Sequence, residues 1–396
     1  MNNKNLNIVF ISPGQYPNGG AASNRHMDYA KGLVELGNQV SFILINPQKD
    51  KAFHSLSGKV KFLNINSLVN NKKEFIINKF KNKYTKECVK SLKKINLDKK
   101  INVVILLDTN VRNLKSLINA AKKLKIKVFH ERTEYPFIVE KKGILGKIHN
   151  KIYELYILPK FDGIYVISKA LKKYINIVTK NNCPVKIINM MVDPSRFNEI
   201  ASKNKDENPY IAYCGTMDGD KDGVGILIMA FGKAKELYPT LSNVNLKLIG
   251  DVSNIKLFNK LKQTAKESNC LDSIIFTGKV KRDEIPTLLS NAKTLALARP
   301  SNKQAEGGFP TKLGEYLATG NPVIITRVGE IQNFLIDKEN AFISKPNDVY
   351  NFAEKIGEVF NEYPKAEKVG QNGRMLINTV FNYKVQAKYL QEFISE

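Results

Sequence analysis

Short runs of β-branched and apolar residues recur along this chain, separated by longer stretches of helical pattern, and no other feature restricts its fold as much. In the first half the runs are NIVFIS (7–12), QVSFILI (39–45), INVVILL (101–107), KVFH (127–130) and GIYVIS (163–168). The pattern then begins afresh with PYIAYCG (209–215), VNLKLIG (244–250), SIIFTG (273–278), TLALA (294–298) and PVIIT (322–326). Strands without a polar alternation, joined through helices, are the signature of parallel sheets buried on both faces and built from right-handed βαβ units. Two Rossmann-like α/β domains are expected, 1–195 and 196–381. The polar stretch ASKNKDENP after Phe197 supplies the linker.

The length of 396 residues agrees with two cores, since single cores stop growing at about 250–300 residues. The longest apolar runs fall far short of the ~20 residues that span a bilayer. The opening MNNKNLNIVFISPG has no secretory pattern, so retention in the cytoplasm is the expectation. Cys88, Cys183, Cys214 and Cys270 are scattered and form no metal-type cluster. Cys214, inside IAYCG, reads as a small buried hydrophobe rather than a nucleophile.

Charge divides unevenly. Residues 1–190 hold 35 Lys and Arg against 12 Asp and Glu, and residues 191–396 hold 27 against 25. A bias in gene composition would raise lysine in both halves alike, so the basic half is expected to face something anionic: a lipid surface or a phosphate-bearing acceptor. Nucleic acid is a rival, but no recognition motif or Arg-interleaved aromatic platform accompanies the charge. The lysine-rich stretch 72–95 carries Phe75, Ile76, Phe80, Tyr84 and Val89 near one side. It reads first as an amphipathic helix packed on a sheet and second as a membrane-surface helix.

The segment with the most chemistry is LALARPSNKQAEGGFPTKLGEYLATGNPVIIT, between two successive strands. Gly307 and Gly308 allow close backbone approach, Phe309 and Pro310 lead into a helix from Thr311 to Thr319, and Gly320 stops it. A helix start preceded by glycines offers free N–H groups to a phosphate, and Lys312 adds a full charge. Glu315 lies where a carboxylate can accept two hydrogen bonds from a ribose diol.

This segment resembles the nucleotide-sugar site of retaining glycosyltransferases of family 4, in the variants that read FPTKLxEYLxxGxPV. The resemblance, which runs from Asn7 to about Asn382, implies the GT-B fold: two Rossmann-like domains facing a central cleft, with a C-terminal helix, 382–396, crossing back to the first. It assigns the ribose to Glu315. The first carboxylate of that family's E-x7-E motif falls at Gly307, with Glu306 one residue earlier. A second stretch, YCGTMDGDKDGVGILIMAF, is similar to the family's G-R-L-x-x-x-K-G. Here Gly215 keeps the turn, Lys221 takes the lysine position beside the donor pyrophosphate, Thr216 stands at the arginine position, and Arg299 or Lys312 supplies the second charge. In the first domain, Gly19 and Gly20 precede a helix and correspond to the loop near the donor phosphates. Asn24 and Arg25 follow as acceptor contacts, together with Glu131 and Glu134. His130, at the end of KVFHERTEYPF, corresponds to a histidine near the transferred sugar. Ser168 and Asp193 belong to matching stretches and are read as structural, and Asn189 stands where proline is common.

The resemblance implies transfer of a hexose from a nucleoside-diphosphate sugar, a UDP-sugar first, to a glycan or glycolipid hydroxyl with retention and without a metal or cofactor. His130, Lys221 and Glu306 are the catalytic candidates, and cell-surface polysaccharide or glycolipid synthesis at the inner face of the plasma membrane is the expected setting. Two alternatives of the same fold stay open: a non-catalytic glycosyltransferase-like subunit and a sugar-nucleotide epimerase.

Overall fold

A computed structural model describes residues 5–16, 19–46, 60–65, 83–139, 143–197, 208–217 and 219–396. The chain divides into two compact units, the first Met1–Asn189 with Tyr383–Glu396 and the second Met190–Asn382. Residues 190–195 thus lie with the second unit rather than the first. Val192 N bonds Phe381 O at 3.0 Å, and Arg196 reaches Glu315, so tertiary pairing decides where the unit begins. Most of the linker read from sequence, 201–209, lies outside the described residues.

The first unit holds a seven-stranded sheet formed by β1 (Asn7–Ser12), β2 (Gln39–Leu44), β3 (Val60–Asn64), β4 (Val103–Leu106), β5 (Lys127–Arg132), β6 (Gly163–Val166) and β7 (Val185–Ile187). Its order is β3-β2-β1-β4-β5-β6-β7, and all neighbours pair in parallel. The second holds β8 (Tyr210–Cys214), β9 (Asn245–Ile249), β10 (Ile274–Gly278), β11 (Thr294–Leu297), β12 (Val323–Thr326) and β13 (Phe342–Ser344) in the order β10-β9-β8-β11-β12-β13, again parallel. All ten runs read from sequence are strands. β3, β7 and β13 are additional, short and marginal.

Central strands β1, β4, β6, β11 and β12 are buried at every position, as two-sided helical cover demands. Both sheets reverse direction of growth at their middle, between β1 and β4 and between β8 and β11. Open α/β sheets bind ligands outside the carboxyl ends of the strands at such a switch point.

The helix Tyr383–Ser395 belongs to the first unit and packs on the helix Ala21–Glu35. A Cβ at Gly32 would lie 2.4 Å from Ala387 Cβ, so glycine permits the close approach, and Tyr383 OH donates to Glu35 at 2.7 Å. The lysine-rich stretch is described from Lys83 as a helix to Asp98. Its buried side, Tyr84, Thr85, Cys88 and Leu92, packs on the helix Val111–Lys123. Phe75, Ile76 and Phe80 lie outside the described residues. No helix among the described residues is long and apolar enough to cross a membrane.

Candidate functional site

At the switch point of the second unit the loops after β8 and β11 meet the helix Lys312–Ala318. Glycine makes the meeting possible. At Gly215, φ +156°, a Cβ would stand 2.2 Å from Lys312 Nζ, and at Gly223, φ +67°, it would stand 1.9 Å from Ala298 O. Gly215 is therefore pressed against Lys312 and Gly223 against the end of β11.

Asp222 lies at the centre of the cluster this creates. Its carboxylate holds the Lys312 ammonium, accepts from Tyr213 OH at 3.0 Å, and stands 3.8 Å from Arg299 Nε. Lys312 also donates to Tyr213 OH at 3.1 Å and lies 4.6 Å over its ring. Burial alone would raise the Asp222 carboxyl, but Lys312 and Arg299 outweigh it and hold the group below its ordinary value. Burial pulls the Lys312 ammonium down despite Asp222. Arg299 is 1% exposed, with Nε 3.5 Å from Lys221 O. Two cations and a carboxylate, partly withdrawn from water at a strand-end loop, can exchange the internal anion for an external one.

Next to it, Arg196 from the turn Pro194–Phe197 pairs with Glu315 at 2.5 Å, both side chains 22% exposed. The helix carrying Lys312 and Glu315 is fixed from below by Tyr316, whose OH accepts from Cys214 N at 2.7 Å. It is fixed from the side at Gly314, where a Cβ would meet Met190 Sδ at 2.5 Å. The helix starts one residue later than expected, with Thr311 at its cap, and Gly320 at φ +74° follows its end. Pro310 O accepts from Leu313 N at 3.0 Å, while Phe309 packs edge-on to Phe334 at 5.6 Å.

Of the other expected residues, Thr216 meets the cluster through its carbonyl, which accepts from Tyr213 OH at 3.1 Å, as Lys221 does through its own beside Arg299, whereas Glu306 sits apart. Glu306 is exposed on the short helix Lys303–Gly307 and pairs with Lys303 at 2.6 Å, so it turns to solvent rather than to Lys312 or Glu315. Gly307 ends that helix, and Gly308 is extended. Thr216 and Lys221 are exposed in the loop. The Cys214 thiol is pushed up to about 12, chiefly by burial, which removes it as a nucleophile.

A second polar cluster occupies the first unit. Gly20 opens the helix Ala21–Glu35 without a side-chain cap, and Gly19 lies where a Cβ would meet Ser23 Oγ at 2.1 Å. Arg25 donates to Glu131 at 2.8 Å, to Asn189 O and Ile188 O at 2.9 Å each, and to Tyr29 OH. His26 Nε2 donates to the other Glu131 oxygen at 2.6 Å, and His26 Nδ1 lies 2.6 Å from Tyr16 OH, itself 3.0 Å from Ser12 Oγ. Burial would raise Glu131, yet Arg25 and His26 hold it at about 2. Arg25 and Glu131, expected at an acceptor, are instead buried and satisfied by one another. Asn24 and Glu134 are half-buried.

His130 is likewise internal rather than presented to a sugar. Its Nδ1–H donates to Leu106 O at 2.6 Å, Nε2 accepts from Tyr153 OH at 2.5 Å, and the ring stacks on Phe161 at 4.7 Å. Burial, helped by Arg132, lowers it to about 3, so it stays neutral. Sequence reading missed Asp222, Tyr213 and Arg196 in the second unit and Tyr16, His26 and Tyr29 in the first. Only Asp222, beside Lys221 and a turn glycine, carried a local signal.

Residues 195–375 match the family of glycosyl transferases group 1. That group 1 match takes in nearly all of the second unit, including Arg196, Asp222, Arg299, Lys312 and Glu315. An uncharacterized glycosyltransferase of Methanocaldococcus jannaschii is 27% identical over 229 residues, 58% of this chain and 58% of the relative. The matched region thus spans under two thirds of that curated relative. Among solved structures, sucrose-phosphate synthase from Thermosynechococcus elongatus superposes with a TM-score of 0.76 at 17% identity, covering 99% of this chain and 100% of that one. HepE of Anabaena, in complex with UDP and glucose, superposes with a TM-score of 0.71 at 15% identity over 98% and 99% of the two chains. The fold is that of the GT-B glycosyltransferases, two parallel-sheet Rossmann-like domains.

Proposed function

We propose that this chain is a glycosyltransferase that moves a hexose from a nucleoside-diphosphate sugar, a UDP-sugar first, to a hydroxyl of a glycan or glycolipid, retaining the anomeric configuration. The observation that carries the reading is the convergence of Lys312, Arg299 and Glu315 at the switch point of the unit that matches group 1 glycosyl transferases. The HepE structure, whose ligands are UDP and glucose, supports the donor class.

In this reading the donor diphosphate takes the place of Asp222 beside Lys312 and Arg299. As the bond to the sugar breaks, charge grows on the leaving diphosphate, and preorganised cations stabilise that charge more than the ground state. Lys221, exposed on the same loop, adds to them. Glu315, oriented by Arg196, accepts from the ribose diol. Retention rests on the likeness to family 4. The basic excess of the first half, 35 against 12, supports an anionic acceptor or lipid surface, and with it work at the inner face of the plasma membrane in polysaccharide or glycolipid synthesis.

Calorimetric titration with the common sugar nucleotides tests the donor site; absence of binding by every one of them would refute it. Turnover with an acceptor separates an enzyme from a non-catalytic subunit, and sugar conversion without acceptor would identify an epimerase. Metal-independent transfer is expected to survive chelation. Loss of transfer on adding chelator would overturn metal independence.

A further inference from the structure

The helix Ile144–Ile152 of the first unit faces the wrong way for a soluble surface helix. Its inward positions are Gly146 and Asn150, with Tyr153 just beyond, while Ile144 (77% exposed), Leu145 (81%), Ile148 (51%) and Ile152 (40%) point to solvent. At 3.6 residues per turn these four fall within an arc of about 100°. The ridge continues through Leu155 and Tyr156 on the following turn, 42% and 63% exposed. Single exposed apolar residues are ordinary; six on one continuous face are not.

Charge identifies what covers it. Lys147 and Lys151 are exposed along one flank of the ridge. Across residues 143–182 there are seven lysines, no arginine, and two acids, Glu154 and Asp162. Both acids are engaged inside the unit, Glu154 by Tyr174 OH and Asp162 by Val128 N at 2.7 Å. Tyr174 lies on the helix Lys169–Val178, whose Lys169, Lys172 and Lys173 line a shallow hollow with Ile177, 66% exposed. Phe137, 50% exposed, packs edge-on to Tyr174 at 6.0 Å and extends the apolar surface beside that helix. An apolar ridge bordered by lysines repels a second copy of itself and complements a surface that is apolar within and anionic at its rim.

We infer that the helix Ile144–Ile152 and the turn after it insert their apolar side into an anionic bilayer, with Lys147, Lys151 and the lysines of Lys169–Val178 on lipid phosphates. This deepens the proposed anionic partner of the basic half and does not depend on the donor site. The contact is reversible, since apolar insertion and headgroup attraction together hold a peripheral protein without a spanning segment.

The test is co-sedimentation of the full chain with phosphatidylglycerol-containing vesicles and with pure phosphatidylcholine vesicles at low and high salt. Binding is expected to the first alone and to weaken with salt. Combined Ile144→Ser, Leu145→Ser and Ile148→Ser should lower partitioning at least about tenfold. Combined Lys147→Gln, Lys151→Gln and Lys173→Gln should remove most of the salt dependence. All six positions lie on the surface, so melting temperature should hold, and affinity for the sugar nucleotide should match the parent, which separates this contact from the donor reading. Absence of vesicle binding by the parent, equal binding by the serine variant, or a serine variant that only converts a dimer to a monomer would each overturn the inference.

Discussion

Arg196 holds Glu315, Nη1 to Oε1 at 2.5 Å, and so ties a turn before β8 to the helix that follows β11. The pair fixes the carboxylate at the mouth of the proposed ribose site. Glu315→Ala is expected to abolish calorimetric binding of the sugar nucleotide while the protein stays folded, because a single partly exposed ion pair contributes on the order of 1 kcal/mol. Arg196→Ala should weaken binding about tenfold by releasing the carboxylate, the value of one lost charge-assisted contact. Unchanged affinity in both variants would remove Glu315 from the site.

Gly223 offers a backbone test. Alanine there must take φ +67° and place its Cβ 1.9 Å from Ala298 O. Gly223→Ala should cost more than about 1–3 kcal/mol in chemical denaturation and lower nucleotide affinity, since the loop carrying Asp222 must shift. Gly225→Ala is a control, because a Cβ at that glycine meets nothing within 4 Å.

Glu131 predicts an acid-sensitive first unit. Its folded pKa, about 2, lies below the ordinary 4.5, so its contribution is present above pH 4.5 and is lost as pH falls towards 2. Glu131→Gln leaves Arg25 buried against an uncharged partner and should cost about 3–5 kcal/mol at neutral pH. The variant's denaturation midpoint should also change less with pH across that window. A slope equal to the parent's would show that other groups govern it.

His130 gives a separate window. Held neutral at about 3 instead of 6.5, it stabilises the fold fully above pH 6.5 and progressively less as pH falls towards 3. His130→Phe should lose about 1–3 kcal/mol at pH 7.5 by removing the bonds to Leu106 O and Tyr153 OH, yet lose less further stability than the parent on moving to pH 5. Urea denaturation at the two pH values reads both effects. A parent equally stable at both would contradict the buried neutral state.

The central strands were legible because a strand covered on both faces has no polar position to interrupt its run, and the edge strand β10, with no buried position, was legible from its apolar IIF alone. β3 failed that test: at the sheet edge, after one buried position, it alternates exposed and half-buried ones. β7 and β13 span three residues each, too few for any period to register. In the site, the glycines, Lys312 and Glu315 announced themselves by spacing within one helix start. Asp222 lies 90 residues from Lys312, and Arg196 lies 119 from Glu315. No local pattern connects such partners.

The sequence by itself determined the alternation of strand and helix, the restart of that pattern at the second unit, and the turns that only glycine can make, because each follows from neighbouring residues and backbone sterics. Only the tertiary structure decided which charges neutralise one another. It turned His130, Arg25 and Glu131 inward, placed Glu306 in solvent and set Asp222 between two cations. The reason is physical: a side chain's charge state and reach depend on the water it loses and the partners it gains, and the chain fixes both only when distant strands come together.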